Sequence, residues 1–89
     1  DSLGIVETAT VAATILAADA AVKAADVQIV ELQLARGIGG KGYFLLSGAL
    51  ESVEAALDAG VGAMDPRLLV MRELIAAPHA EIHPTLRRG

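Results

Sequence analysis

The feature that most constrains this chain is a glycine-dense stretch near its middle, Arg36-Gly37-Ile38-Gly39-Gly40-Lys41-Gly42. Glycine enters positive φ without steric cost, so this density of glycine predicts a sharp turn or a close backbone approach. The flanking apolar runs, residues 27–35 and 43–46, both indicate strands. The stretch therefore predicts a long loop that joins two antiparallel strands as a hairpin.

The same stretch does not fit the known phosphate-binding loops. Such a loop precedes a helix whose first amides meet the anion, whereas residues 43–46 have strand character. A Ser or Thr would also follow the Gly-Lys pair, but Gly42 follows Lys41. We therefore assign no phosphate binding to this loop.

Length and composition limit the class of protein. A chain of 89 residues forms one domain, and 54% of its residues are apolar, many of them alanine. Such a small apolar domain is expected to bury its flanks against copies of itself. A net charge of −4 and only one Tyr and one Phe argue against a nucleic-acid partner. No apolar run is long enough for a membrane span, and the chain has no cysteine.

The first half of the chain predicts a strand, a helix and the first strand of the hairpin. Residues 3–6 are apolar and β-branched, and apolar residues then recur at helical spacing, at Val11, Ile15, Ala18, Val22 and Ala25. Thr8 or Thr10 can supply the N-cap oxygen. Most of the helix surface is alanine, so the helix can pack both against its own sheet and against a neighbour. Residues 30–34 alternate between apolar and polar, as in a strand with one wetter face.

The second half predicts another helix and a final strand. An apolar stripe at helical spacing runs through Leu50, Val53, Leu57, Val61 and Met64. Residues 68–76 are apolar on both strand faces, which predicts a largely buried strand. Residues 79–86 suggest a short tail helix, and we expect a flexible tail over about 84–89. The order β-α-β-β-α-β-α indicates an α+β, ferredoxin-like split βαβ fold with helices on one face of a four-stranded antiparallel sheet.

Several of these segments resemble the BMC-domain family, the bacterial microcompartment shell proteins. The strand Leu3-Gly4-Ile5-Val6-Glu7-Thr8 and the helical residues 17–27 are similar to the opening of that family, in the same order and at the same separation. Gly48, the alanine-rich residues 55–63 and the Pro78-His79 pair are also consistent with it. The match extends over most of the chain.

The resemblance implies a structural tile rather than an enzyme, made of one shell domain over residues 1–89 and needing no cofactor. Such a tile assembles as a cyclic hexamer, or as a trimer of tandem double-domain chains, and packs edge to edge with other shell proteins into a cytoplasmic microcompartment shell. The Gly-Ile-Gly-Gly-Lys form of the loop is more similar to the second half of tandem shell proteins. The missing initiator Met would suit an excised half.

The resemblance also implies two groups of site residues. In the family the hairpin loop lines a central pore, which here would favour polar or anionic metabolites and would be formed by Arg36, Gly37, Ile38, Gly39, Gly40 and Lys41. Lys23 matches the lysine at the tile edge, and His79 is placed at the same edge. The family usually has an Arg between two prolines where this chain has Ala77, which leaves the strength of edge contacts open.

Each candidate also has a plainer interpretation. Arg36 and Lys41 are compatible with ordinary solvated loop charges, and Lys23 with a simple helical ion pair to Asp19. His79 more simply caps or packs at the end of the last strand.

The sequence predicts neither a metal site nor a catalytic site. His79 and His83 have ligand-like spacing, but Pro84 interrupts the helix and no third ligand is evident. Glu7 lies at a strand end with no His, Ser or second acid fixed near it.

Two other functions remain open from the sequence. A small-molecule-binding regulatory oligomer of ferredoxin-like subunits would be stabilised against heat by its nucleotide. An acylphosphatase-like enzyme would need an amide side chain beside a phosphate-gripping Arg, and the chain contains no Asn.

Overall fold

A computed structural model describes residues 1–34 and 41–76 of the chain. Within these residues the elements are β1 (Ser2–Thr8), α1 (Val11–Ala24), β2 (Gln28–Leu34), β3 (Gly42–Gly48), α2 (Leu50–Gly62), a short 3-10 helix (Pro66–Leu68) and β4 (Leu69–Ile75). The strands form one antiparallel sheet in the order β2-β3-β1-β4. This arrangement confirms the predicted ferredoxin-like α+β fold. The predicted tail helix and flexible tail lie outside the described residues.

Both helices cover the same face of the sheet. Alternate residues of β1 and β3 are buried beneath them, as the period of two along a strand requires. The largest fully buried apolar side chains come from both layers and are Val6, Phe44, Leu46, Val53 and Leu57. The opposite face of the sheet has no covering layer among the described residues.

Helix α1 packs through its alanines rather than through its large side chains. Its buried residues include Ala13, Ala17 and Ala21, one helical turn apart, whereas Ile15 and Leu16 are half exposed. A Cβ built on Gly60 of α2 would lie 2.8 Å from the backbone oxygen of Ala17. At this contact the two helices therefore approach so closely that a side chain at position 60 does not fit between them. The predicted helix is confirmed, but its large apolar residues do not form the buried face.

A cluster of threonine hydroxyls fixes the start of α1 to the end of β1. The Thr10 side chain accepts the Ala13 N–H at 3.0 Å and caps the helix, as the sequence predicted. The hydroxyls of Thr8 and Thr14 are fully buried and 2.7 Å apart, and the carbonyl oxygen of Thr10 lies 2.7 Å from the first and 2.9 Å from the second. Each hydroxyl has one proton, so one donates to the other and the second donates to this carbonyl. A Cβ on Gly42 would collide with the Thr14 hydroxyl, so the first residue of β3 also packs on this cluster.

The prediction that the last strand is largely buried was wrong. Strand β4 forms a lateral edge of the sheet, and its Val70 and Ile75 side chains are 52% and 41% exposed. Burial on both faces requires a layer on each side of the sheet, whereas this sheet has helices on one side. The apolar residues of β4 are thus left partly in water.

The hairpin around the glycine-dense stretch is confirmed at its base. Strands β2 and β3 pair antiparallel, and the pairing reaches Leu34 opposite Gly42. Strand β3 continues two residues beyond the predicted end at residue 46. The tip, residues 35–40, lies outside the described residues.

Candidate functional site

Three polar residues lie side by side on the uncovered face of the sheet, at the end from which the hairpin projects. Tyr43 of β3 pairs with Glu7 of β1 on one side and with Gln33 of β2 on the other. Paired residues of neighbouring strands point to the same face, so the three side chains form one row. Lys41, which is exposed, lies immediately before β3 at the end of this row.

These residues line a hollow of about 390 Å³ at the hairpin base, which we call the hairpin hollow: Glu7, Gln33, Lys41, Gly42 and Tyr43. It presents a carboxylate, an ammonium and an amide around an aromatic ring. A pocket with an apolar floor and a few converging polar groups is the usual form of a small-molecule site.

The aromatic ring of the hollow is held by a neighbouring acid. The Tyr43 hydroxyl donates to Glu31 Oε2 at 2.6 Å, across the β2–β3 pair. This hydrogen bond, with smaller contributions from desolvation and from the negative charge of Glu31, raises the pKa of Tyr43. Because the ordinary pKa of tyrosine, 10.0, already lies far above physiological pH, the phenol is neutral there and keeps its hydrogen bond to Glu31.

The structure describes two of the charged residues singled out from the sequence. Lys41 lies at the hairpin base and lines the hollow. Lys23 lies in the last turn of α1, where its ammonium is 2.9 Å from Asp19 Oδ2, and both side chains are exposed. The structure thus contains the exposed helical ion pair that the plainer interpretation of Lys23 predicts. The remaining candidates lie outside the described residues: Arg36, Gly37, Ile38, Gly39, Gly40 and His79.

Large apolar side chains are exposed on more than one side of the domain. Among the described residues they belong to the outer face of α1, to the first residue of α2, to the edge strand β2 and to the opposite edge strand β4. Val30 of β2, at 59%, is the most exposed of them. Exposed apolar surface at both sheet edges is typical of a domain with neighbours on two sides.

Residues 1–34 and 41–76 contain no group of three or more potential ligands that could hold a metal ion. Over the same residues, no helix has the length and apolar character needed to cross a membrane.

Sequence reasoning singled out Lys41 but missed the partners that the fold brings to it. Gln33 was predicted only to lie on the more polar face of its strand, and Glu7 was considered only as an isolated acid. The alternation of β1 and β3 was a usable signal, because it puts Glu7 and Tyr43 on the same face once the two strands are paired.

The fold and surface define a small ferredoxin-like domain with a glycine-rich hairpin at one end of its sheet and exposed apolar residues at both sheet edges. A family model described as "BMC domain" matches residues 2–78. The chain belongs to this BMC-domain family.

The relatives are shell proteins. The chain is 47% identical over 89 residues to the bacterial microcompartment shell protein PduT of Citrobacter freundii, covering 99% of this chain and 48% of that protein. It is 40% identical over 93 residues to the carboxysome shell protein CsoS1C of Hydrogenovibrio crunogenus, covering 99% of this chain and 86% of that one.

A solved structure has the same fold. A microcompartment protein from Desulfitobacterium hafniense superposes with a TM-score of 0.81 at 40% identity, over 94% of this chain and 47% of that one. The chain therefore spans about half the length of PduT and of this structural relative, and most of the length of CsoS1C.

Proposed function

We propose that the chain is a structural tile of a bacterial microcompartment shell in the cytoplasm, without catalytic activity, whose copies close into a hexamer or a pseudo-hexameric trimer. The observation that carries this proposal is the exposed apolar surface at both lateral edges of the sheet. A dimer needs a single self-complementary patch, whereas a ring joins two different surfaces of each subunit. Family membership supports the same assembly.

The assembly is tested at the most exposed apolar position. Size-exclusion chromatography with light scattering should give a ring-sized particle, and negative-stain electron microscopy should show sixfold or pseudo-sixfold rings that associate into sheets. Val30→Lys places a charge on the edge strand and should shift the particle toward the monomer, because a buried unpaired charge is costly. Glu54→Lys on exposed α2 is the matched control. A wild-type chain that stays monomeric at high concentration overturns the proposal.

We further propose that residues 36–41 line a central pore for polar or anionic metabolites. The described strands support this because they bring the two ends of the glycine-dense stretch together at Leu34 and Gly42. The chain has no cysteine, so single cysteines can be introduced without background. Ile38→Cys should form disulfides between subunits under mild oxidation, and Glu54→Cys should not. Intact rings without cross-links at residue 38 would exclude the loop from the axis.

For contacts between tiles we propose Lys23 and His79. Lys23→Ala and His79→Ala should abolish sheets in electron micrographs while leaving rings intact. Ala77→Arg restores the side chain usual in the family and should promote sheet formation. Unchanged sheets in all three variants would remove these residues from the edge.

The native chain is proposed to carry this domain as one of two. The proposal is supported by the lengths of PduT and of the D. hafniense protein, because both are about twice as long as this chain. CsoS1C, which the chain nearly covers, is compatible with a single domain and a hexamer. The mass of the native polypeptide decides between a trimer and a hexamer.

The alternative of a nucleotide-binding regulatory oligomer predicts thermal stabilisation by a nucleotide, which we do not expect.

A further inference from the structure

The hairpin hollow carries charges of both signs that no other residue of the described ranges pairs. The ion pairs within residues 1–34 and 41–76 join Lys23 to Asp19, Arg67 to Asp65 and Arg72 to Asp58. Neither Glu7 nor Lys41 belongs to any of them. A carboxylate and an ammonium thus line the same hollow, each with capacity for a ligand.

We propose that the hairpin hollow binds a small zwitterion, a free amino acid, whose carboxylate contacts Lys41 and whose ammonium contacts Glu7. A simple anion would meet repulsion from Glu7, and a simple amine would meet repulsion from Lys41. A zwitterion satisfies both residues and adds no net charge to the site. The amide of Gln33 provides a further donor and acceptor for the ligand.

The remaining lining of the hollow suits the carbon chain of such a ligand. Tyr43 presents its ring, while its hydroxyl is occupied by Glu31 at 2.6 Å and does not compete for the ligand. The volume of about 390 Å³ accommodates an amino acid together with water.

The hollow is open to solvent, which sets the expected affinity. Ion pairs in exposed positions are weak because water screens them. Two such contacts predict a dissociation constant in the millimolar range. This proposal goes beyond the shell function. The lining residues that the structure describes belong to one chain, so shell assembly can succeed or fail independently of ligand binding.

The chain contains its own reporter for the test. Tyr43 is the only tyrosine of the 89-residue chain, which has no tryptophan, so the tyrosine emission of an assembly of this chain comes from the hollow. Glycine, β-alanine and γ-aminobutyrate, which differ in the distance between their charges, are titrated while this emission is followed. Propionate and propylamine are the matched single-charge probes, and calorimetry provides a second readout. We expect saturable binding of at least one zwitterion, and weaker binding of both single-charge probes.

Two conservative variants assign the contacts. Glu7→Gln and Lys41→Gln should each weaken zwitterion binding about fivefold. Glu54→Gln, which removes an exposed acid on α2, should leave binding unchanged. The proposal is overturned if no zwitterion changes the emission or produces heat at high millimolar concentration. It is equally overturned if propionate or propylamine binds as well as the zwitterions, or if both charge-removing variants bind normally.

Discussion

The close approach of α1 and α2 leads to a prediction in which two glycines of the same helix respond oppositely to alanine. A Cβ on Gly60 would lie 2.8 Å from the Ala17 carbonyl oxygen and 3.3 Å from the Ala21 Cβ, whereas a Cβ on Gly62 meets nothing within 4 Å. Backbone cannot move aside as a flexible side chain can. Gly60→Ala must therefore push the two helices apart.

The magnitude follows from two opposing terms. Overpacking costs about 1–3 kcal/mol, while replacing glycine by alanine in a helix recovers up to about 1 kcal/mol, less near a helix end. Gly60→Ala should therefore lower the free energy of unfolding by about 1–2 kcal/mol. Gly62→Ala, which has no packing term, should raise it by about 0.5 kcal/mol.

Urea denaturation followed by circular dichroism measures both variants at equal protein concentration, because assembly makes stability depend on concentration. With a slope of about 1 kcal/mol per molar urea for a domain of this size, the two midpoints should differ by about 2 M. If Gly60→Ala is as stable as Gly62→Ala, the inference that glycine sets the distance between the helices is refuted.

Three further predictions concern other contacts. Thr14→Val should lower the free energy of unfolding by about 1–3 kcal/mol, because it removes a buried hydroxyl that hydrogen-bonds to Thr8 and to the Thr10 carbonyl oxygen, and Thr14→Ser should retain most of the stability in the same urea assay. Hydrogen bonds from Arg67 hold the pKa of Asp65 below its ordinary value of 3.8, so this carboxylate stabilises the fold above that pH and the contribution is lost as the pH falls. The difference in melting temperature between wild type and Asp65→Asn should therefore shrink on going from about pH 6 to pH 3, and a constant difference would contradict the linkage. Lys23→Ala should change the free energy of unfolding by less than about 0.5 kcal/mol, since its pair with Asp19 is exposed, and a larger loss in the urea assay would show a structural role within the domain.

Much of the architecture could be predicted because it depends on local pattern. The alternation around Glu31 and Gln33 and the glycines that follow predict a hairpin, and the structure pairs β2 with β3 accordingly. Thr10 lies directly before a helical segment and caps it, as N-cap chemistry predicts. The resemblance to shell proteins likewise came from residues contiguous in the chain.

The candidate site was only partly accessible to such reasoning. Lys41 stands out beside the glycines, but Glu7 is 34 positions away in the chain, and only the pairing of β1 with β3 brings it next to Tyr43. A shift of that pairing by one residue would move Glu7 to the other face of the sheet. The hollow is thus a product of strand register.

The sequence by itself determined which segments are helix and strand, their order and the hairpin between β2 and β3, because these follow from periodicity, capping and glycine chemistry within short windows. Only the tertiary structure decided which face of α1 is buried and that β4 lies at an edge. On an alanine-rich helix, helical spacing is compatible with several buried faces. Gly60 allows α2 to approach α1 so closely that the buried face of α1 is the one with the smallest side chains. Burial depends on what packs against a surface, and that partner is distant in the chain.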